Sequence, residues 1–121
     1  MKKLFFLLLL AVSFNIQAQD LAKSFDPEKY SDQLTEKIIT VLNISDSNVL
    51  EKIQKGSYHY AKSIEKHIIL FQQKGLTSGK TLDEVIEMVK PHAMRATRFQ
   101  EALGDLVGKE NLERLKEAKV L

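Results

Sequence analysis

Apolar residues recur every three or four positions along most of the chain, which is the spacing of one face of an α-helix. The first such segment follows Asp26 and Pro27, a capping residue and the imino acid favoured at the first helical position. Its apolar positions are Tyr30, Leu34, Ile38, Val41 and Leu42. The pattern predicts a first helix over Pro27–Leu42.

A longer stripe with the same spacing predicts a second helix from Asp46 to Lys74. The hydroxyl of Ser45 is expected to cap its start, and the charge of Asp46 suits the positive end of a helix. Gly75 is expected to end it in a left-handed conformation. The stripe consists of Val49, Ile53, Gly56, Tyr60, Ile64, His67 and Phe71.

Residues 81–107 predict a third helix that opens with a capping box between Thr81 and Glu84. The predicted buried stripe consists of Leu82, Val85, Ile86, Val89, Ala93, Ala96, Leu103 and Val107. Pro91 lies inside this pattern, and its ring and missing N–H predict a kink near Glu87.

Gly108 predicts the end of the third helix, and residues 109–120 predict a short final one. No segment alternates with period two, so the sequence predicts no strand. We therefore expect an all-α fold, in which a long antiparallel helical hairpin is flanked by shorter helices. An intertwined dimer is one arrangement of such a hairpin.

The beginning of the chain has a different organisation. Lys2 and Lys3 precede an unbroken apolar run over Leu4–Val12, and the small residue Ala18 provides a plausible cleavage site. These are the features of a secretory signal peptide, so we expect a periplasmic or secreted protein. Retention as an uncleaved anchor is the alternative. The predicted organisation is a signal peptide at 1–18, a mobile leader at 19–25 and a single helical domain at 26–121.

Charge and composition narrow the function further. The 121 residues include 18 basic and 16 acidic side chains, and removal of Lys2 and Lys3 leaves 16 of each. A formally neutral domain lacks the basic excess that drives binding to nucleic acid. No later segment approaches the roughly 18 apolar residues of a membrane span, so no stable membrane insertion is expected. The chain has no Cys, and packing or oligomerisation must hold the fold.

The sequence contains no recognisable catalytic or cofactor-binding motif, and we expect neither an enzyme nor a resident cofactor or metal. His59 and His67 are eight residues apart on one predicted helix, about 12 Å, which is too far to share an ion. Met88 and His92 are a soft ligand pair that would suit Cu(I), so a periplasmic metal binder remains the least favoured alternative.

The second predicted helix carries a row of basic residues on the side opposite the apolar stripe. The row consists of Lys52, Lys55, His59, Lys62 and Lys66. A solvated face explains such a row, and a strip that attracts acidic polymers is the functional alternative. Ile69 and Leu70 point away from the stripe, and Met88, Phe99 and Leu106 form a second apolar row on the third predicted helix. Terminal helices, a second copy or a client protein would have to cover these rows.

Two short segments with the order apolar, small, x, x, amide resemble the repeated Leu-Thr-x-x-Gln signature of Spy/CpxP-like small periplasmic helical-hairpin proteins. They are Ile44-Ser45-Asp46-Ser47-Asn48 and Val107-Gly108-Lys109-Glu110-Asn111. Ser45 replaces Thr conservatively, whereas Gly108 has lost the hydroxyl. The resemblance implies a cradle-shaped antiparallel dimer that binds partly unfolded proteins, or the sensor of an envelope-stress kinase, without ATP.

These observations favour an exported, non-enzymatic helical protein that binds polypeptides in the envelope, like an ATP-independent chaperone or stress modulator. The expected partners are unfolded or partly folded proteins or an envelope sensor, with a homodimer as a further expectation. The predicted contact residues are Ile69, Leu70, Met88 and Phe99, with Lys55, Lys62 and Lys66 steering acidic segments. The alternative is an exported structural protein whose apolar rows are fully satisfied in its own dimer.

Overall fold

The computed structural model describes residues 21–121, and within that range the fold is all-α. The predicted signal peptide at 1–18 lies outside the described residues. Residues 21–23 are helical, and further helices follow between residues 27 and 117. They are α1 (Pro27–Leu42), α2 (Ser47–Gln73), α3 (Leu82–Thr97), α4 (Phe99–Val107) and α5 (Lys109–Glu117).

The bounds of α1 confirm the prediction, because the start and end signals are local. The Asp26 carboxylate accepts hydrogen bonds from the backbone N–H groups of Glu28 at 3.1 Å and Lys29 at 3.2 Å. These are two of the donors that the first turn of a helix leaves without a partner. The helix ends where Asn43 adopts a left-handed conformation with φ 53°.

The cap of α2 differs by one residue from the prediction. Asp46, rather than Ser45, accepts the N–H groups of Asn48 at 2.9 Å and Val49 at 3.4 Å. A carboxylate satisfies the same donors as a hydroxyl and adds a favourable charge at the positive end of the helix. At the other end, Gly75 has φ 72°, as expected for a residue that stops a helix.

The third predicted helix is two helices in the structure. The capping box of Thr81 and Glu84 is confirmed, and α3 continues through Pro91 to Thr97. The helix is interrupted at Arg98, which adopts a left-handed conformation with φ 53°. A single left-handed residue changes the direction of the chain, so α4 begins at Phe99 with a different axis from that of α3.

The core is built around α2, which packs against both α1 and α3, while α4 packs on α2 and α5 on α1 and α4. Phe25 is buried, and its ring centroid lies 5.4 Å from that of Tyr30, so the end of the predicted leader belongs to the core. The Arg114 guanidinium of α5 donates a hydrogen bond to the Val41 carbonyl at 3.1 Å. The antiparallel hairpin and the dimer remain predictions.

Among residues 21–121, no helix combines the length and the apolar character needed to cross a membrane.

Candidate binding surface on the second helix

In the part of the chain that the structure describes, all the large apolar side chains that are exposed come from one segment. They are Tyr58 (45% exposed), Ile69 (42%), Leu70 (37%) and Leu76 (49%). The first three belong to α2, and Leu76 lies in the turn that follows it. Single exposed apolar residues are ordinary on a protein surface, but the restriction of all four to one segment makes this segment a candidate binding surface.

Helical geometry explains why these side chains face outward. The buried positions of α2 are Ile53, Ser57, Tyr60, Ala61, Ile64 and Ile68. Ile69 and Leu70 follow Ile68 directly, and each step along a helix turns by about 100°. Packing of Ile68 into the core therefore directs both of its neighbours to the solvent side.

The same side of α2 carries the predicted lysine row. Lys62 forms an ion pair with Glu65 at 2.9 Å, and this hydrogen bond raises the pKa of Lys62. Lys55 pairs with Glu51 at 3.2 Å. Both pairs are exposed, and surface pairs of this kind exchange readily with water and other ions.

Lys66 lies three and four residues before Ile69 and Leu70, so the three side chains are neighbours on the helix surface. Within residues 21–121, no carboxylate lies within ion-pair distance of Lys66. Its ammonium group therefore lies next to the exposed apolar side chains without a neutralising partner. We define the outer face of α2 as Tyr58, Lys62, Lys66, Ile69 and Leu70, a strip about 18 Å long.

Two predicted contact residues lie elsewhere. Phe99 is only 3% exposed, and its ring stacks on Tyr60 with a centroid distance of 5.1 Å and an angle of 11°. Its assignment to an exposed surface is wrong, because the break at Arg98 turns the start of α4 into the core. Met88 is half-buried on α3 and is not part of the outer face.

Tyr58 and Leu76 belong to the exposed apolar set, although the sequence reasoning missed them. Tyr58 could have been found, because it lies one turn before Lys62 on the side opposite the buried stripe. Leu76 gave no such signal, since it lies in a turn without helical periodicity.

The histidines have an arrangement that the sequence did not predict. The ring of His67 on α2 lies beside that of His92 on α3, with centroids 6.0 Å apart and an angle of 27°. His67 Nδ1 lies 2.8 Å from the backbone oxygen of Ser63, and the Phe71 ring meets His92 edge-on at 5.3 Å. His59 is exposed on α2. Among the described residues, no group of three His, Cys, Asp or Glu side chains is arranged to hold a metal.

Two tyrosines between the helices are held in the neutral form. Burial, with a smaller contribution from the charge of Glu87, raises the pKa of Tyr30 to about 12. Burial also raises the pKa of Tyr60, whose hydroxyl has no hydrogen-bond partner in the described part of the molecule. Both phenols therefore remain protonated near neutral pH and act as packing groups rather than as bases.

Comparison with known proteins adds no relative: no protein-family model, curated protein or solved structure matches the chain. The resemblance to Spy/CpxP-like proteins stays a prediction that depends on the two short segments that begin at Ile44 and Val107. In the structure, the first of these segments contains the Asp46 cap of α2, and the second contains the Gly108 junction before α5. Both segments lie at the start of a helix.

Proposed function

We propose that the protein is a non-enzymatic, polypeptide-binding protein of the cell envelope. In this proposal, partly unfolded acidic segments dock on the outer face of α2 without ATP, as with an ATP-independent chaperone or stress modulator. One observation carries the proposal: the exposed large apolar side chains of the described chain are confined to residues 58–76 and lie among lysines.

The size of the surface favours weak, transient binding. Fully burying one large apolar side chain contributes about 1.5–3 kcal/mol, and those on this surface are about 40% exposed. Each therefore offers about 1 kcal/mol, or a few kcal/mol in total, from which the cost of ordering the bound segment is subtracted. Such affinity suits a protein that holds clients briefly and releases them without an energy source.

The lysines add direction to this apolar attraction. Lys66 lies one turn before the exposed Ile69 and Leu70, and Lys62 lies one turn before Lys66 on the same side of α2. An acidic segment would therefore be drawn to the place where its apolar residues can be buried. Charges on a surface raise the rate of encounter more than they raise the final affinity. Salt should therefore reduce client capture at early times more than it reduces the amount bound at equilibrium.

The predicted signal peptide supports a location in the envelope, and the resemblance to Spy/CpxP-like proteins supports both the location and the type of partner. An envelope sensor protein is a second partner that the same resemblance favours. A homodimer that covered the outer face would instead make the protein a structural component. Sedimentation distinguishes such a dimer from a client-binding protein.

The test is suppression of light scattering by an acidic aggregating client, reduced α-lactalbumin, at low and high salt. We expect the triple variant Lys55→Glu/Lys62→Glu/Lys66→Glu to lose suppression at low salt. The matched control replaces three exposed lysines outside α2 with Glu, namely Lys29, Lys37 and Lys109. Because both triple variants change the net charge equally, only a role for the specific position separates them.

A second variant, Ile69→Ser/Leu70→Ser, is expected to lose suppression at both salt concentrations while its circular dichroism is unchanged. Unchanged suppression in this variant would overturn the proposal. Sedimentation and binding of an apolar dye provide the other decisive result. If the wild type is a tight dimer that binds no dye, and dye binding appears only when the dimer dissociates, the outer face of α2 serves self-association and not client binding.

A further inference from the structure

We propose that His67 and His92, with the Met88 thioether, form a Cu(I) site between α2 and α3. The site uses residues outside the outer face of α2 and does not depend on client binding. Its first support is placement: two imidazoles that lie 25 positions apart in the sequence are brought to a centroid distance of 6.0 Å. Imidazole nitrogen is a favoured ligand for copper.

The contacts of His67 leave Nε2 as the nitrogen available to a metal. Nδ1 lies 2.8 Å from the Ser63 carbonyl oxygen and 3.4 Å from the Ser63 hydroxyl. Since a carbonyl only accepts, Nδ1 donates to it in the tautomer that carries the proton there. In the neutral ring, Nε2 then carries the lone pair that a metal needs. Metal-binding histidines in proteins are oriented in this way, by a hydrogen bond from the other ring nitrogen.

The ring separation is compatible with one ion held between the two imidazoles. A nitrogen–metal bond of about 2.0 Å, with about 1.1 Å from the ring nitrogen to the ring centre, puts the centroids about 6.2 Å apart in a linear pair and about 5 Å apart at a tetrahedral angle. The observed centroid distance of 6.0 Å lies within this range, and the two ring planes are 27° from parallel. Two imidazoles suffice for Cu(I), whereas Zn²⁺ prefers four ligands.

The remaining neighbours also favour the softer ion. Met88 lies four residues before His92, hence on the same side of α3, and is half-buried. Thioether sulfur selects Cu(I) over the harder divalent ions. The Phe71 ring lies beside His92, with centroids 5.3 Å apart and ring planes at 67°, and His92 itself is exposed. No third His, Cys, Asp or Glu joins the pair among residues 21–121, which leaves a divalent ion without its usual ligand number.

The test is anaerobic titration with Cu(I) in competition with bicinchoninate, with ¹⁵N NMR of the imidazoles as an independent readout. We expect one tight equivalent in the wild type and shifts of the His67 and His92 nitrogens, but not of those of His59. His67→Gln and His92→Gln should each weaken binding by at least about tenfold, since even loss of an outer-shell partner costs 10–100-fold. Met88→Leu should weaken it less and reduce the preference for Cu(I) over Zn²⁺.

His59→Gln is the matched control, because His59 lies on the same helix but on its exposed side. It should bind Cu(I) as the wild type does. Equal affinity in the wild type and in a His67→Gln/His92→Gln double variant would overturn the site. The same conclusion follows if the wild type binds no tighter than micromolar, or if His59→Gln loses as much affinity as the other two variants.

Discussion

The substitution Phe99→Ala should destabilise the protein strongly, although a sequence pattern placed this residue on the surface. The ring is 3% exposed and stacks on Tyr60 at a centroid distance of 5.1 Å. Removing a buried phenyl ring costs about 3–5 kcal/mol, since apolar contacts are lost and a cavity is left. A domain of this size has a free energy of unfolding of about 5–15 kcal/mol, so the variant should lose a third or more of a typical value.

The measurement is urea denaturation followed by circular dichroism at 222 nm. With an m-value of about 1.5 kcal/mol per molar urea, a loss of 3–5 kcal/mol moves the midpoint down by about 2–3 M. Ile69→Ala is the control, because Ile69 is 42% exposed and surface substitutions usually change stability by no more than about 0.5 kcal/mol. If Phe99→Ala unfolds at the same urea concentration as this control, Phe99 does not belong to the core.

Two further predictions concern a helix cap and a buried phenol. Asp46→Ala should lower the free energy of unfolding by about 1 kcal/mol while Ser45→Ala leaves it unchanged, and equal urea midpoints for the two variants would contradict the assignment of the cap. Burial raises the pKa of Tyr30 from 10.0 to about 12, so the folded state keeps a proton that the unfolded state has already lost. The stabilisation is complete below pH 10 and is lost as the pH rises towards 12. Tyr30→Phe should therefore lose less stability than wild type between pH 10 and pH 12, and identical pH profiles would refute this cause.

The parts of the fold that depend on local signals were predictable. The cap and periodicity of α1 lie within the helix itself, and the predicted bounds agree with the structure. The start of α2 was displaced by one residue, because Ser45 and Asp46 are both competent caps and the sequence alone does not choose between them. The break at Arg98 was not predictable, since a non-glycine residue in the left-handed region carries no local signal.

The candidate site shows the same division. Exposure of Ile69 and Leu70 follows from the rotation of a helix whose buried stripe is known, and the structure agrees. Burial of Phe99 depends on how α4 packs against α2, which is a contact between residues far apart in the sequence. The pairing of His67 with His92 likewise depends on the register of α3 against α2. Period counting along one helix contains no information about that register.

The structure divides α2 into three strips, and this division makes the two proposals independently testable. One strip is core, the outer face carries exposed apolar and basic side chains, and the flank towards α3 carries His67. Leu70 lies three residues after His67, so the outer face and the histidine flank are adjacent. If the strips act separately, Ile69→Ser/Leu70→Ser should retain Cu(I) binding, and His67→Gln should retain suppression of client aggregation. Loss of both properties in either variant would instead show that the substitution disturbs α2 as a whole, because a surface change that leaves the core packed has no path to both sites.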